Sequence, residues 1–526
     1  MKSPEPNRED PLELLRKSME PQRESPKRAA IRLGIAAVVA AGLLGLYLWQ
    51  AKRSHAVKVL IAEATPLIER GDLTSLRQAE KKLLEASDIK RNDRVVASLA
   101  ETYAMQWVEH GMPEAKAKAQ AVVAEAVNDD LQTAQRYAAE GLVAIGEGRF
   151  ADAEKVASDI ITRGGMSERL FWVLGLAELA QGKVESARDK LKRATDLKSS
   201  APHYARALGD ALEDDNDSRG ASNYWELAAK VNPNYVQGVA RDLYSRVRRG
   251  EPRATVLAEI KRLNAMPAED VGPYGQAAIQ YTLALITYQE GKNKEALAAV
   301  AAAEKTLGTR AYLTALRGQV LIADGKVAEG QKELAATAGR APAADKYLYA
   351  LVDALVDQGN TAEALKALQA HGAGRTNEAR YHVALGDVYV AAKDFAKAKA
   401  EHDKALELEP DYPEAYLGQA IAQARQKKYQ DAVALFEQAL VVKPKFPEVY
   451  EAIGLMFIET GILPNANTQL DMSEKLFRAV DVDTPRLKRF YASVQKSFQA
   501  KGGYSYVKEW QAREKLFREG TQPALQ

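Results

Sequence analysis

The sequence predicts an all-α protein: a superhelical α-solenoid of short helix-turn-helix units, preceded by one transmembrane helix. Three observations lead there. Matching residues recur every 34 positions, as at Pro410 and Pro444, and at Ala398, Ala432 and Ala466. The small residues Gly386, Ala420 and Gly454 keep the same interval, as do Tyr416 and Tyr450. One stretch near the N-terminus, residues 33–51, contains no charged side chain. For 526 residues length alone would suggest about three or four globular domains, but a periodic array overrides that expectation.

Residues 1–32 read as a mostly disordered, cytoplasmic N-terminal tail. Within it, Asp10 can cap a short helix with Pro11 at its first position, and Leu12, Leu15 and Met19 then share one face. So short a helix is not stable alone, and the expectation is a peptide over Pro11–Met19 that folds on a partner, against a plain charged leader.

Residues 33–51, LGIAAVVAAGLLGLYLWQA, form the transmembrane helix. At 1.5 Å per residue they span about 28 Å, close to the hydrocarbon thickness of a bilayer. Tyr47 and Trp49 stand where aromatic rings favour the headgroup boundary, and Arg32, Lys52 and Arg53 bracket the stretch. A cleaved signal peptide fits less well, because the charged leader is long and no small-x-small site follows Trp49. A buried core helix would show a polar face, and this one has none. Basic residues are denser before the span than after it, which favours a cytoplasmic N-terminus and a periplasmic solenoid at a bacterial inner membrane. Ala37, Ala41 and Gly45 make a small-residue stripe suited to self-association of the span and a homo-oligomer.

Residues 52–133 are helical with a loose repeat phase, Gly71 and Gly111 being the expected turns. A first block, 134–263, has units starting at Ala134, Glu168, Pro202 and Val236, with turns at Gly148, Gly182, Asn216 and Gly250. Residues 264–276, rich in Pro and Gly, are expected to be an inter-block loop. A second block, 277–480, starts units at Ala277, Ala311, Asp345, Ala379, Pro413 and Pro447, with turns at Gly291, Gly325, Gly359, Lys393, Lys427 and Gly461. Glycine ends a helix in a left-handed cap, and proline cannot continue one, so Pro233, Pro410 and Pro444 close second helices. Leu191, Trp225 and Phe436 are the large residues expected to fill the space between units. Residues 481–526 read as C-terminal capping helices, with Leu487, Tyr491, Val494 and Phe498 on one face and Trp510 on the last helix.

The 34-residue spacing, the pairing of small residues and the closing prolines resemble the tetratricopeptide-repeat family, here as a single-pass membrane-anchored member. The resemblance implies that first helices line a concave groove and that their second, fifth, ninth and twelfth positions touch a ligand. The groove residues implied are Trp172, Arg206 and Asp210 in the first block. In the second they are Tyr349, Asp353, Arg380, Val383, Asp387, Leu417, Ile421, Glu451 and Leu455. Relatives that grip C-terminal carboxylates present Lys and Asn where this chain has Val383 and Asp387, so that clamp is missing. The mixed apolar and acidic floor suits a basic helix or extended segment.

The absence of cysteine excludes disulfides, thiol nucleophiles and Cys-ligated metals. The six histidines fall in no HExxH or HxxxH spacing, the glycines are turn glycines, and there is no G-x-S-x-G elbow. With 73 basic against 71 acidic residues, nothing calls for nucleic acid. No cofactor, metal or catalytic residue is expected. The function expected is a scaffold that binds other envelope proteins during assembly of a bacterial envelope machine for secretion, motility or envelope biogenesis. The alternatives are a regulatory adaptor presenting membrane substrates to a protease or chaperone, and an organelle import receptor with cytosolic repeats.

Overall fold

The computed structural model describes residues 12, 16, 26–128, 131–215, 217–249, 251–340, 345–371, 374–479 and 484–521. Most of the peptide Pro11–Met19 and the expected turns at Asn216 and Gly250 lie outside the described residues. Among the described residues all regular structure is helical.

One unbroken helix, Pro26–Arg70, carries the apolar stretch and then enters the solenoid. Its two halves differ in what covers them. Leu33, Val38 and Trp49 are 71%, 73% and 52% exposed, whereas Val57, Ala64 and Ile68 are buried. Among the described residues nothing covers the apolar half, which is therefore not a core helix of the described fold. The second half pairs antiparallel with helix Leu73–Lys90, as the Glu63–Lys82 ion pair at 2.6 Å records.

Antiparallel pairs follow to the C-terminus. Helices begin at Ala134, Glu168, Pro202 and Val236, and at Ala311, Asp345, Ala379, Pro413 and Pro447. Small residues set the approach within each pair. A Cβ on Gly175 would stand 2.6 Å from Leu191 and 3.1 Å from the Ala187 carbonyl, and one on Gly209 would stand 2.5 Å from the Trp225 ring. Leu191, Trp225 and Phe436 are buried, and Leu191 and Trp225 pack on Gly175 and Gly209 of their own pairs rather than only between units. The turns use left-handed glycines, among them Gly148, Gly182, Gly291, Gly325, Gly359 and Gly461. Two turns put lysine in the same conformation, Lys393 at φ 62° and Lys427 at φ 63°. A side chain there is strained by about 1 kcal/mol.

Residues 264–276 differ from the loop expected of them. Pro267 starts a helix, Ala268–Gln289, which kinks at Gly272 (φ 68°, ψ 163°) and resumes at Pro273. The reason is a docking contact. The Tyr274 amide donates to the His110 carbonyl at 3.2 Å, and the Tyr274 ring occupies the space above Gly111. The extra residues thus bring the start of the second block against the first helical pairs of the chain.

The C-terminal helices Thr484–Ala500 and Tyr504–Glu519 seal the last core, with Leu487, Phe490, Tyr491, Val494, Phe498, Trp510 and Phe517 all fully buried. They also reach back to the middle of the chain. The Arg253 amide donates to the Gly520 carbonyl at 2.5 Å, Lys488 to the Tyr288 carbonyl at 2.5 Å, and Arg518 to the Glu290 carbonyl at 3.0 Å.

Candidate docking surfaces

The inner face of the first block is filled by the chain itself. Trp172 is 2% exposed and meets the His203 ring edge-on, with centroids 4.8 Å apart. Arg169 reaches Glu101 at 2.5 Å, and Arg206 reaches Glu109 at 3.1 Å. Glu101 lies on helix Asp93–Val108 and Glu109 caps its end. Arg206 also donates to the Tyr235 hydroxyl at 2.8 Å and to Asp210 at 2.5 Å. Asp210 further takes Arg241 at 3.0 Å and the Trp225 indole N–H at 3.1 Å. Burial works against the charge on Arg206, but Glu109, Tyr235 and Asp210 hold it well above its ordinary value.

The same seam holds buried histidines. His110 Nε2 lies 2.8 Å from the Gly71 carbonyl, and its Nδ1 lies 3.0 Å from the Gln237 amide. Asn232 donates to the Arg70 carbonyl and to Asp72. His203 is 3% exposed, and burial pushes its imidazole well below the ordinary range, so it is neutral. Of the positions read from the sequence for a partner, Trp172 is thus covered by His203 and Tyr204, and Arg206 and Asp210 are held by Glu109, Tyr235 and Arg241. The covering contacts join residues far apart in sequence, which the repeat phase does not encode.

The second block keeps an open inner face. A cavity of about 350 Å³ is lined by Val356, Val383, Val390, Leu417, Ile421 and Phe446, together with the carboxylates of Asp387, Glu414 and Glu448 and the cations Arg425 and Lys443, Lys443 pairing with Glu414 at 2.9 Å. Asp387 is half exposed there and bonds the buried His402 Nε2 at 3.1 Å. His402 fills a notch between Gly386 and Gly418, where a Cβ on either glycine would come within 2.3 Å of the ring. Burial pushes the Glu448 carboxyl up, against the pull of Arg486. His382 pairs instead with Glu401 at 2.7 Å and the Thr376 carbonyl at 2.8 Å, so the two histidines serve separate partners.

A second cavity of about 430 Å³ lies between Tyr288, Tyr349, Asp353, Lys488 and Arg489. The Arg380 guanidinium stacks over Tyr349 at 4.2 Å. Arg489 of the cap crosses to Asp353 at 2.7 Å and to Asp357 at 3.7 Å. Arg486 pairs with Glu451, and Leu455 is partly buried against the last core. Arg486, Lys488 and Arg489 were not among the residues singled out from sequence. A signal was present: Asp353 and Arg489 are four repeat lengths apart and so share one position in the unit.

The tetratricopeptide-repeat family profile matches residues 138–202, 316–378 and 383–457. This chain carries a tetratricopeptide-repeat domain. Solved structures with a similar arrangement include MamA, residues 41 to the end, from Desulfovibrio magneticus RS-1. It is 17% identical, with 32% of this chain and 96% of that chain covered and a TM-score of 0.26. Another is the APC/C hetero-tetramer Cut9–Hcn1, at 14% identity, 80% and 93% coverage and a TM-score of 0.33. No curated protein matches the chain. A tetratricopeptide-repeat fold fits a scaffold for protein–protein contacts.

Proposed function

We propose that this chain is an inner-membrane-anchored scaffold of a bacterial envelope machine, with its solenoid in the periplasm and its partner held in the second-block groove. The observation that carries the reading is the contrast in cover along one chain. The inner face at Val383, Leu417 and Ile421 opens into a cavity, while the first block's inner face is closed by its own residues. The apolar side chains of that cavity, with Asp387 exposed beside them and Glu414 already paired with Lys443, favour the apolar face of an amphipathic segment of another envelope protein.

Support for the anchor comes from helix Pro26–Arg70, whose residues 33–51 are apolar and bare of protein contacts. Ala37, Ala41 and Gly45 lie on that bare surface at fourfold spacing, suited to a second copy. The basic leader supports a cytoplasmic N-terminus.

The test is gentle solubilisation of tagged full-length protein from its native membrane, with identification of what co-purifies. A reproducible set of envelope proteins, lost when the repeats are removed, is expected. Recovery of self-copies alone would overturn the scaffold reading in favour of a homo-oligomer. Protease protection of the solenoid in intact spheroplasts would overturn the periplasmic orientation.

A further inference from the structure

Resting on the membrane reading above, we propose that the turn Lys90–Arg94 is a second membrane contact, which binds anionic lipid headgroups together with Lys52 and Arg53. The argument is one of level. Helix Pro26–Arg70 runs straight from the apolar stretch into the solenoid, without a linker. Helix Leu73–Lys90 lies antiparallel to it and points back toward the apolar stretch. Two contacts fix the register: Lys82 pairs with Glu63, and the Arg53 guanidinium donates to the Ile89 carbonyl. Residues 90–94 therefore stand beside residues 50–54, within about one helical turn of the end of the apolar stretch.

The composition at that level suits a headgroup layer. Arg53 lies over the Trp49 ring at 4.6 Å, an aromatic and a cation stacked where a boundary is expected. Lys52, Lys90, Arg91 and Arg94 are exposed. Arg91 is partly neutralised by Glu125 at 2.7 Å, and Asp88 and Asp93 stand nearby in sequence, so Lys52, Arg53, Lys90 and Arg94 supply the excess positive charge. A cation held within a Debye length of an anionic leaflet is attracted to it, by about fivefold in binding per Lys or Arg. Sequence alone shows Lys52 and Arg53 beside the span. Only the fold brings residues 90–94 to the same plane.

The natural absence of cysteine allows clean single labelling of the full-length chain. Nitroxides are placed by Val39→Cys, in the middle of the apolar stretch, Lys81→Cys and Asn92→Cys. Each protein goes into vesicles of phosphatidylcholine with phosphatidylglycerol and a nickel-chelating headgroup lipid. The label at position 92 is expected to relax strongly against headgroup nickel. The label at 81 should respond weakly and that at 39 should report hydrocarbon. Charge reversal by Lys90→Glu with Arg94→Glu is expected to lower the enrichment of phosphatidylglycerol around the protein at least tenfold, with the melting temperature unchanged. If position 39 is not in hydrocarbon, the membrane reading itself falls. If position 39 is in hydrocarbon but position 92 behaves like position 81, or the reversal leaves lipid enrichment unchanged, the second contact is overturned and the anchor stands.

Discussion

The two inner faces of this solenoid are built from the same unit and have opposite fates. In the first block, Trp172 is buried against His203 and Tyr204, while Arg169 and Arg206 are held by Glu101 and Glu109 of helix Asp93–Val108 and its following turn. In the second block, the equivalent positions at Val383, Leu417 and Ile421 border a cavity, and the cap reaches the neighbouring units through Arg486, Lys488 and Arg489. The repeat motif thus fixes where an inner face lies, but a few long-range polar partners decide whether it is free for another protein. A groove read from motif positions alone merges a structural seam with a docking surface.

The contrast can be broken most severely at Trp172. Trp172→Ala should cost about 3–5 kcal/mol, read as a large drop in melting temperature with loss of helical signal from the first block. Ile421→Ala beside the cavity should cost about 1–2 kcal/mol, since that side chain is only partly buried. Equal losses at both sites would erase the distinction.

A pH experiment sharpens it further. Asp242 is 8% exposed, its nearest cation is Arg246 at 3.8 Å, and burial pushes its carboxyl up to about 6. Its folded value exceeds the unfolded one, so the native state holds the proton more tightly between roughly pH 4 and pH 6. Stability from this group is therefore lost as pH rises through that window. Asp242→Asn should raise stability by about 2 kcal/mol at pH 8 and have little effect at pH 4. A gain of the same size at both pH values would show that the carboxyl is not the cause.

Smaller effects are expected on the second block. Lys393→Gly and Lys427→Gly relieve left-handed side chains and should each stabilise by about 0.5–1 kcal/mol in chemical denaturation. Arg489→Glu removes a partly exposed ion pair and should change stability by less than about 1 kcal/mol. Its main effect should be a longer distance between spin labels on helix Thr484–Ala500 and helix Asp345–Asp357.

Much of the architecture is legible in the sequence because its causes are local. Left-handed turns need glycine, close helix pairs need Gly or Ala, and helix ends accept proline. For that reason the helices starting at Glu168, Pro202, Ala379 and Pro413 coincide with the residues that the 34-residue phase selects. The insertion at 264–276 reads as a loop because Pro and Gly dominate it. It became a kinked helix because Tyr274 has the His110 carbonyl to bind, 164 residues away in sequence numbering. The filling of the first groove is likewise invisible locally. Glu109 and Arg206 meet only because of the superhelical path, and no motif position marks Glu109.

The most direct measurement of the central claim places an aromatic photo-crosslinking residue at Ile421 and, in a second protein, at Trp172 on the filled face. Both proteins are irradiated in their native membrane. The account predicts that position 421 captures another polypeptide, whereas position 172 forms only links within its own chain. Capture of a foreign chain at 172, with none at 421, would contradict it.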